Sequence, residues 1–261
     1  PTPTPAPAAA TPAPAAAVPA GAFAGQGALE AALVALPHGK YVAFGVGVLD
    51  ATTGRRFTWD SGAPFEMAST VKVDIVSATM VRAREAGRGL TSRERSLATS
   101  TIRNSDNTAA QTLFKLVGDR AGMQRFYDRM GMTSTRASAF WGLTTTTPSD
   151  RLLLLEAIDS GKALVSDEDG EELLELMRTV QSGQRWGVGA IAHDGETAAV
   201  KNGWQPRTNQ SGRWIISTHG QLSGAAGPLH LAVCSRGHTS QSGGIAFVEQ
   251  VLRLAREQLQ V

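Results

Sequence analysis

The chain has 261 residues, 42% of them apolar, and a formal net charge of +2. This length and composition allow a sizeable buried core. The small net charge, with scattered basic residues, argues against a nucleic-acid partner, and the longest run of large aliphatic residues, Leu152–Leu155, is too short to cross a bilayer. We therefore expect a protein without a transmembrane segment or a nucleic-acid partner, and we expect a monomer.

The N-terminal segment has a different composition from the rest of the chain. Residues 1–20 contain only Pro, Ala, Thr and one Val, and the first charged residue is Glu30. Such a segment cannot form a core, so residues 1–22 are predicted to be a disordered, extended tether. A tether of this kind is typical of an exported bacterial protein, either secreted or attached to the cell envelope. The alternative hypothesis is a cytosolic interdomain linker.

Hydrophobic periodicity predicts the remaining elements in chain order. Helices are expected at 27–36, 70–86, 91–101, 107–117, 120–130, 148–159, 168–180 and 245–259. Strands are expected at 40–49, 55–60, 197–201, 213–219 and 228–235.

The order of these elements predicts an α+β fold. Early and late strands pair into one antiparallel five-stranded sheet flanked by helices, and an all-helical lobe is inserted between them. We expect a single domain over residues 23–261. Its α/β lobe comprises residues 23–62 and 185–261, and its helical lobe comprises residues 63–184.

Three short motifs occur in an order that is rare by chance. They are Ser69-Thr70-Val71-Lys72, Ser105-Asp106-Asn107 and Lys201-Asn202-Gly203. The first two open helices of the inserted lobe and the third ends a predicted strand. The sequence therefore predicts that the three motifs meet in a cleft between the lobes.

The first motif can supply a nucleophile and its base. Ser69 and Lys72 lie three residues apart, on one face of a helix that is apolar on almost every side. Burial disfavours the ammonium form of Lys72, so a neutral amine could accept the Ser69 proton. The alternative is structural: Ser69 caps the helix and Lys72 extends to solvent.

The other two motifs can supply groups that act on the substrate. Ser105 could relay a proton to a leaving group, Asn107 could donate its amide to a substrate carbonyl, and Asp106 is assigned to capping the helix. Lys201 could hold a substrate carboxylate, and Gly203 allows a substrate to approach the strand. A backbone N–H beside Gly203 could pair with that of Ser69 as an oxyanion hole. Read alone, Lys201-Asn202-Gly203 is equally compatible with a surface turn.

Other residue types suggest no further chemistry. The histidines show no metal-ligand spacing, so no metal and no cofactor are expected, although a triad that uses His193, Asp194 and another serine stays open. The single cysteine, Cys234, lies in an apolar strand and is predicted to be a buried small hydrophobe. Among the tryptophans, only Trp204 adjoins one of the motifs.

Together these residues resemble the penicillin-recognising serine hydrolases, and class A β-lactamases most closely. Residues 65–72, FEMASTVK, resemble the nucleophile helix of that class, and residues 144–150, TTTTPSD, resemble the segment after its omega loop. The resemblance implies a β-lactamase-like fold and an acyl-enzyme formed with β-lactam or peptidoglycan-like D-Ala-D-Ala substrates. It implies the following roles: Ser69 nucleophile, Lys72 base, Ser105 proton relay, Asn107 substrate contact, Lys201 carboxylate anchor and Trp204 second oxyanion N–H.

The chain departs from this class in three ways. Residues 131–147 contain no Glu or Asp where the class carries its deacylating glutamate, so deacylation is predicted to be slow. Asn202 replaces a hydroxyl residue and offers an amide N–H to the substrate carboxylate instead. The segment from Ser69 to Ser105 is shorter than usual, which predicts a more open cleft. Three hypotheses remain: a slowly deacylating serine hydrolase, a D,D-peptidase or small penicillin-binding protein, and a non-catalytic cell-wall binding module.

Overall fold

The computed structural model describes residues 21–61, 64–161 and 164–261. The helices are α1 (Gln26–Ala35), α2 (Val71–Glu85), α3 (Ser92–Arg103), α4 (Asn107–Leu116), α5 (Asp119–Arg129), α6 (Pro148–Ser160), α7 (Asp167–Arg178) and α8 (Gln241–Leu259). The strands are β1 (Ala43–Asp50), β2 (Arg56–Asp60), β3 (Phe65–Glu66), β4 (Thr145–Thr146), β5 (Thr197–Arg207), β6 (Arg213–Gly224) and β7 (Gly227–His238).

The main sheet confirms the predicted fold class. Five antiparallel strands lie in the order β2-β1-β7-β6-β5, so strands from both ends of the chain pair through β1 and β7. Helices α1 and α8 pack together on one face, with α8 directly on β6 and β7. No helix among the described residues is long and apolar enough to span a membrane.

Helix α6 packs on the other face of this sheet, directly against β1. A Cβ atom at Gly45 would lie 2.8 Å from a Pro148 side-chain carbon, and one at Gly47 would lie 3.1 Å from the Leu152 side chain. The two glycines therefore allow the helix to approach the strand closely. As a result, α6 covers the sheet, although it lies within the segment predicted to form a separate helical lobe.

Two sequence-based boundaries differ from the structure. The third motif was predicted to end a strand at Lys201, but β5 continues for six more residues to Arg207 because its whole length pairs with β6. Most of the predicted tether, residues 1–20, lies outside the described residues. Its last two residues, 21 and 22, are described. Gly21 contacts the sheet, since its carbonyl accepts a hydrogen bond from the backbone N–H of Arg56 at 3.1 Å.

A buried ion pair joins α2 to α6. Nη1 of Arg151 donates to Oδ1 of Asp74 at 2.6 Å, and both side chains are almost completely buried. Tyr127 donates its hydroxyl to the same carboxylate at 3.2 Å, and Nε of Arg151 donates to Thr146 at 3.0 Å. The pair connects the nucleophile helix, the cleft segment before α6 and α6 itself.

We expect that Arg151→Met destabilises the protein by about 3 to 5 kcal/mol, because it leaves the Asp74 carboxylate buried without its cation. The double variant Asp74→Leu, Arg151→Met removes both charges and should recover part of this loss. Urea unfolding of the wild type and both variants measures these differences. If the free energy of unfolding of Arg151→Met lies within about 1 kcal/mol of that of the wild type, the ion pair is not needed for stability.

Candidate functional site

Ser69 lies in a short 3-10 turn, Ala68–Thr70, that leads into α2. The preceding residue, Ala68, has a left-handed backbone conformation with φ of 48°, which residues other than glycine rarely adopt. The surrounding backbone holds this conformation: β3 pairs with β4, and the N–H of Met67 donates to the Thr144 carbonyl at 2.9 Å. Backbone strain at a residue other than glycine is typical of functional sites.

Lys72, the second residue of α2, is completely buried. Its Nζ lies 3.2 Å from Oγ of Ser69, and it also lies 3.1 Å from Oγ of Ser105. The same atom donates to the Ser105 carbonyl at 2.5 Å and to Oδ1 of Asn107 at 2.7 Å. The first two motifs therefore meet at this amine, as predicted.

These four contacts can be made by either protonation state of Lys72. The Ser105 carbonyl and the Asn107 Oδ1 can only accept, so each takes one N–H of the amine. The remaining position of the nitrogen faces two hydroxyl groups, each of which can donate a proton. An ammonium group would donate its third N–H to one of these hydroxyl groups, whereas in a neutral amine the lone pair accepts from one of them.

The electrostatic surroundings of Lys72 favour the neutral amine. Burial lowers the pKa of Lys72 from 10.5 to about 8, and the nearby Asp106 carboxylate partly opposes this shift. With a pKa of about 8, Lys72 is neutral in about one molecule in ten at pH 7, far more often than an ordinary lysine. Lys72 is therefore suited to remove the Ser69 proton.

Ser105 connects the two lysines of the site. Its Oγ lies 3.1 Å from Nζ of Lys72 and 3.1 Å from Nζ of Lys201. Lys201 is 1% exposed, and its burial, followed by the positive charge of Lys72, lowers its pKa to about 7. A continuous path of hydrogen-bonding groups thus runs from Ser69 to Lys201. Ser105 itself has a left-handed φ of 54°.

Asp106 and Asn107 divide the roles of cap and ligand contact. Oδ1 of Asp106 accepts from the backbone N–H of Ala109 at 2.6 Å, which agrees with the capping role inferred from the sequence. Asn107 is exposed and lines the cleft. Since its Oδ1 accepts from Lys72, its Nδ2 is directed elsewhere and can serve a substrate carbonyl.

Gly203 brings the edge strand β5 against the nucleophile turn. A Cβ atom at this position would lie 2.5 Å from the Met67 carbonyl oxygen and 2.8 Å from the backbone N of Ser69. Only glycine permits this approach without displacing the backbone. Trp204 follows and lines the same cleft as Ser69. The oxyanion hole formed by the N–H groups of Ser69 and Trp204 stays a prediction that this packing favours.

The position of Asn202 differs from the sequence-based prediction. Its Nδ2 donates to the backbone carbonyls of Gln184 at 2.9 Å and Trp186 at 2.8 Å, and the side chain is 1% exposed. Both amide N–H groups are therefore used inside the protein and are not directed at a substrate carboxylate. Asn202 instead anchors the segment before β5, whose Gln184 side chain lies 3.5 Å from Nζ of Lys201.

The cleft is a cavity of about 540 Å³ that opens beside Ser69. Its lining comprises Ala68, Ser69, Asn107, Gln111, Phe140, Trp141, Gly142, Leu143, Trp204, Gln205 and Arg207. None of these lining residues is acidic. The segment between α5 and α6, where the resembled class carries its omega loop, thus contributes apolar side chains to the cleft and no carboxylate.

Trp141 covers the base. Nζ of Lys72 lies 5.1 Å from the centre of the Trp141 ring, and the indole N–H donates to Oε1 of Gln111 at 3.1 Å. Trp204 is supported in turn by Trp186, whose ring centre lies 6.0 Å away in an edge-to-face arrangement. The rings shield the lysine from bulk water on the cleft side.

Sequence reasoning did not find four residues of the site: Gln111, Trp141, Gln184 and Arg207. Trp141 was not distinguished from the other tryptophans, because it adjoins none of the three motifs. The absence of acidic residues from 131–147 was the one signal that the cleft segment is unusual. The others lie outside the motifs and reach the site only through tertiary contacts.

Two further expectations concern residues outside the motifs. Cys234 is free and buried, and burial raises the pKa of its thiol to about 12, as expected for an inert small hydrophobe. Within the described ranges, no three or more His, Cys, Asp or Glu side chains are grouped so that they could hold a metal ion.

Comparisons with known proteins give consistent results. A family model described as the beta-lactamase enzyme family matches residues 85–221. A comparison with curated protein sequences gave no match.

Solved structures of beta-lactamases are similar to this fold. A representative of class A beta-lactamase from Bacteroides cellulosilyticus has a TM-score of 0.77 at 17% identity, covering 90% of this chain and 98% of that one. TLA-3 extended-spectrum beta-lactamase has a TM-score of 0.77 at 18% identity, with 90% and 99% covered. A beta-lactamase from Chitinophaga pinensis has a TM-score of 0.71 at 19% identity, with 89% and 98% covered.

We expect Asp106→Asn to shift the pH dependence of Ser69 acylation to lower pH. Asparagine keeps the helix cap, but removal of the carboxylate lowers the pKa of Lys72 further, so that the neutral base persists at lower pH. The rate of Ser69 acylation by benzylpenicillin is followed by intact mass spectrometry from pH 5 to 10. The midpoint of the pH–rate profile is compared between the variant and the wild type. A midpoint that stays in place or moves upward would contradict the role of Lys72 as base.

We expect Gly203→Ala to slow the same acylation by about 10²-fold, because the added methyl group displaces β5 from the Ser69 backbone. Gly27→Ala is a suitable control, since a Cβ atom there meets no atom within 4 Å. Both variants are compared in acylation rate and thermal stability. Acylation of Gly203→Ala at the wild-type rate would show that this contact does not position the nucleophile.

Proposed function

Because this chain belongs to the beta-lactamase enzyme family, we propose that it is a serine hydrolase that forms an acyl-enzyme on Ser69 and deacylates slowly. Its substrates are β-lactams or D-Ala-D-Ala-like peptides. The observation that carries the proposal is the position of Nζ of Lys72, which donates to two obligate acceptors and faces the Ser69 hydroxyl at 3.2 Å.

The acylation step follows from this arrangement. Neutral Lys72 accepts the Ser69 proton as Oγ attacks the substrate carbonyl carbon. The developing oxyanion is held by the backbone N–H groups of Ser69 and Trp204. Ser105 then donates its hydroxyl proton to the departing nitrogen and is reprotonated by Lys72 or Lys201, both 3.1 Å away. The C–N bond breaks and the acyl group remains on Ser69.

Deacylation is the step for which the site is less well equipped. Hydrolysis of the ester needs a general base within hydrogen-bond reach of a water molecule. The cleft residues of the described chain include no carboxylate, and Trp141 occupies the side of the cleft next to Lys72. The remaining candidate base is Lys72 itself. We therefore propose that release of the acyl group is slow.

The same cleft favours a second candidate, a D,D-peptidase or small penicillin-binding protein. Enzymes of this kind need an activated serine but no carboxylate that drives rapid release from β-lactams. An exported location remains a prediction of the sequence and would place the protein near peptidoglycan. Release of D-Ala from a D-Ala-D-Ala peptide, compared with a Ser69→Ala control, distinguishes this candidate.

We expect benzylpenicillin to add one acyl mass to the wild type and none to Ser69→Ala, because Ser69 lines the cleft and its hydroxyl lies 3.2 Å from Nζ of Lys72. The adduct should persist after excess reagent is removed. Intact mass against time measures both formation and loss. No adduct on the wild type would contradict the proposal, and biological activity that survives Ser69→Ala would favour a non-catalytic binding module.

A further inference from the structure

Arg207 is a cation in the cleft that the reaction described above does not use. It lies at the end of β5 and lines the same cavity as Ser69. Lys201 lies two residues before Gly203 along this strand and Arg207 lies four residues after it. The two cations are therefore on opposite sides of the point where the strand meets the nucleophile.

The guanidinium of Arg207 has unused hydrogen-bonding capacity. In the described part of the chain it makes no hydrogen bond, and its Nε is buried without a partner. The carboxylate of Glu66 lies 3.7 Å from this nitrogen, which is longer than a hydrogen bond. By contrast, the buried Arg256 donates to both carboxylate oxygens of Glu196, at 2.7 and 2.8 Å. Because Nε is buried, a ligand in the cleft would meet the Nη1 and Nη2 groups, which make no hydrogen bond within the described residues.

The cleft between Ser69 and Arg207 has an apolar middle. Phe140, Trp141 and Trp204 contribute aromatic rings, and Phe140 is 76% exposed at the rim. Gln111 and Gln205 contribute amides. Aromatic walls with few polar groups suit an apolar substrate body, and an arginine at one end suits a carboxylate.

The distance along β5 from Gly203 to Arg207 sets the length of the substrate side chain that can reach the guanidinium. Four residues of β-strand span about 13 Å, and an arginine side chain reaches back over about half of that distance. A carboxylate about 6 Å from the acylated carbonyl carbon is thus within reach of Arg207. This separation corresponds to a side chain four or five bonds long on the acyl part of the substrate.

We propose that Arg207 forms an anion subsite that selects substrates whose acyl side chain combines an apolar group with a carboxylate. This proposal rests on the proposed acylation of Ser69 for its catalytic consequence, but binding to the subsite does not require it. Glu66 positions the guanidinium and weakens its positive potential. A bound carboxylate occupies the free donors of Arg207.

Three penicillins test the subsite, because they share a phenylacetyl side chain that carries hydrogen (benzylpenicillin), a carboxylate (carbenicillin) or an ammonium group (ampicillin). We expect carbenicillin to acylate the wild type about 10-fold faster than benzylpenicillin, as for one charge-assisted hydrogen bond, and ampicillin to react more slowly than either. Arg207→Gln should bring the carbenicillin to benzylpenicillin ratio close to one. An unchanged ratio in Arg207→Gln would overturn the proposal.

Arg213→Gln is the matched control. Arg213 faces Arg207 across the β5–β6 pair, but its guanidinium lies 4.0 Å from the Tyr41 ring centre and it does not line the cleft. The variant removes the same charge and should leave the ratio unchanged. If Arg213→Gln lowers the ratio as much as Arg207→Gln does, the preference reflects overall charge and the subsite is refuted.

Binding to Ser69→Ala separates this proposal from the proposed function. Calorimetry of this variant, with and without Arg207→Gln, measures penicillin affinity without acylation. Tighter binding of carbenicillin than of benzylpenicillin that is lost with Arg207→Gln supports the subsite, even if no penicillin acylates the wild type and the proposed function fails. Equal affinities for the two compounds in Ser69→Ala would refute the subsite, whatever the acylation results.

Discussion

The site depends on one constraint: the amine of Lys72 is buried near the start of helix α2, away from water. Burying an ammonium group is unfavourable, so the protein must supply acceptors or release the proton. Here it does both in part: the Ser105 carbonyl and Asn107 accept two N–H groups, and the pKa is lowered to about 8. The remaining position on the Lys72 nitrogen faces the hydroxyl groups of Ser69 and Ser105, and the rest of the cleft is arranged around this contact.

This constraint explains why unusual backbone conformations occur next to the motifs. Ala68 and Ser105 are two of the five non-glycine residues with positive φ in the described ranges. One orients the serine toward the amine, and the other turns both its carbonyl and its hydroxyl toward the same amine. Left-handed backbone of this kind costs about 1 to 3 kcal/mol per residue, and the β3–β4 pairing and the packing of Gly203 hold it in place.

The asymmetry of the cleft has a chemical consequence. The side that includes Lys72, Ser105 and Lys201 is complete for proton transfer, whereas the wall formed by residues 140–143 is apolar and contains no base. This composition is the basis of the proposal that acylation is faster than deacylation. Arg207, at the end of β5, adds a positive group to the same cavity, and the proposed anion subsite depends on the length of this strand.

The sequence by itself determined the fold class, the approximate bounds of most helices and strands, and the three motifs, because hydrophobic periodicity and capping are local properties. It also predicted a buried Lys72, since nearly every neighbour on α2 is apolar. Tertiary structure decided the length of β5, which depends on pairing with β6, and the orientation of Asn202, whose amide finds backbone carbonyls 16 and 18 residues away. It also placed Trp141 over Lys72 and left Arg207 without a hydrogen-bond partner within the described residues. These outcomes depend on contacts between distant segments, and the local pattern around a residue does not record which distant groups it will meet.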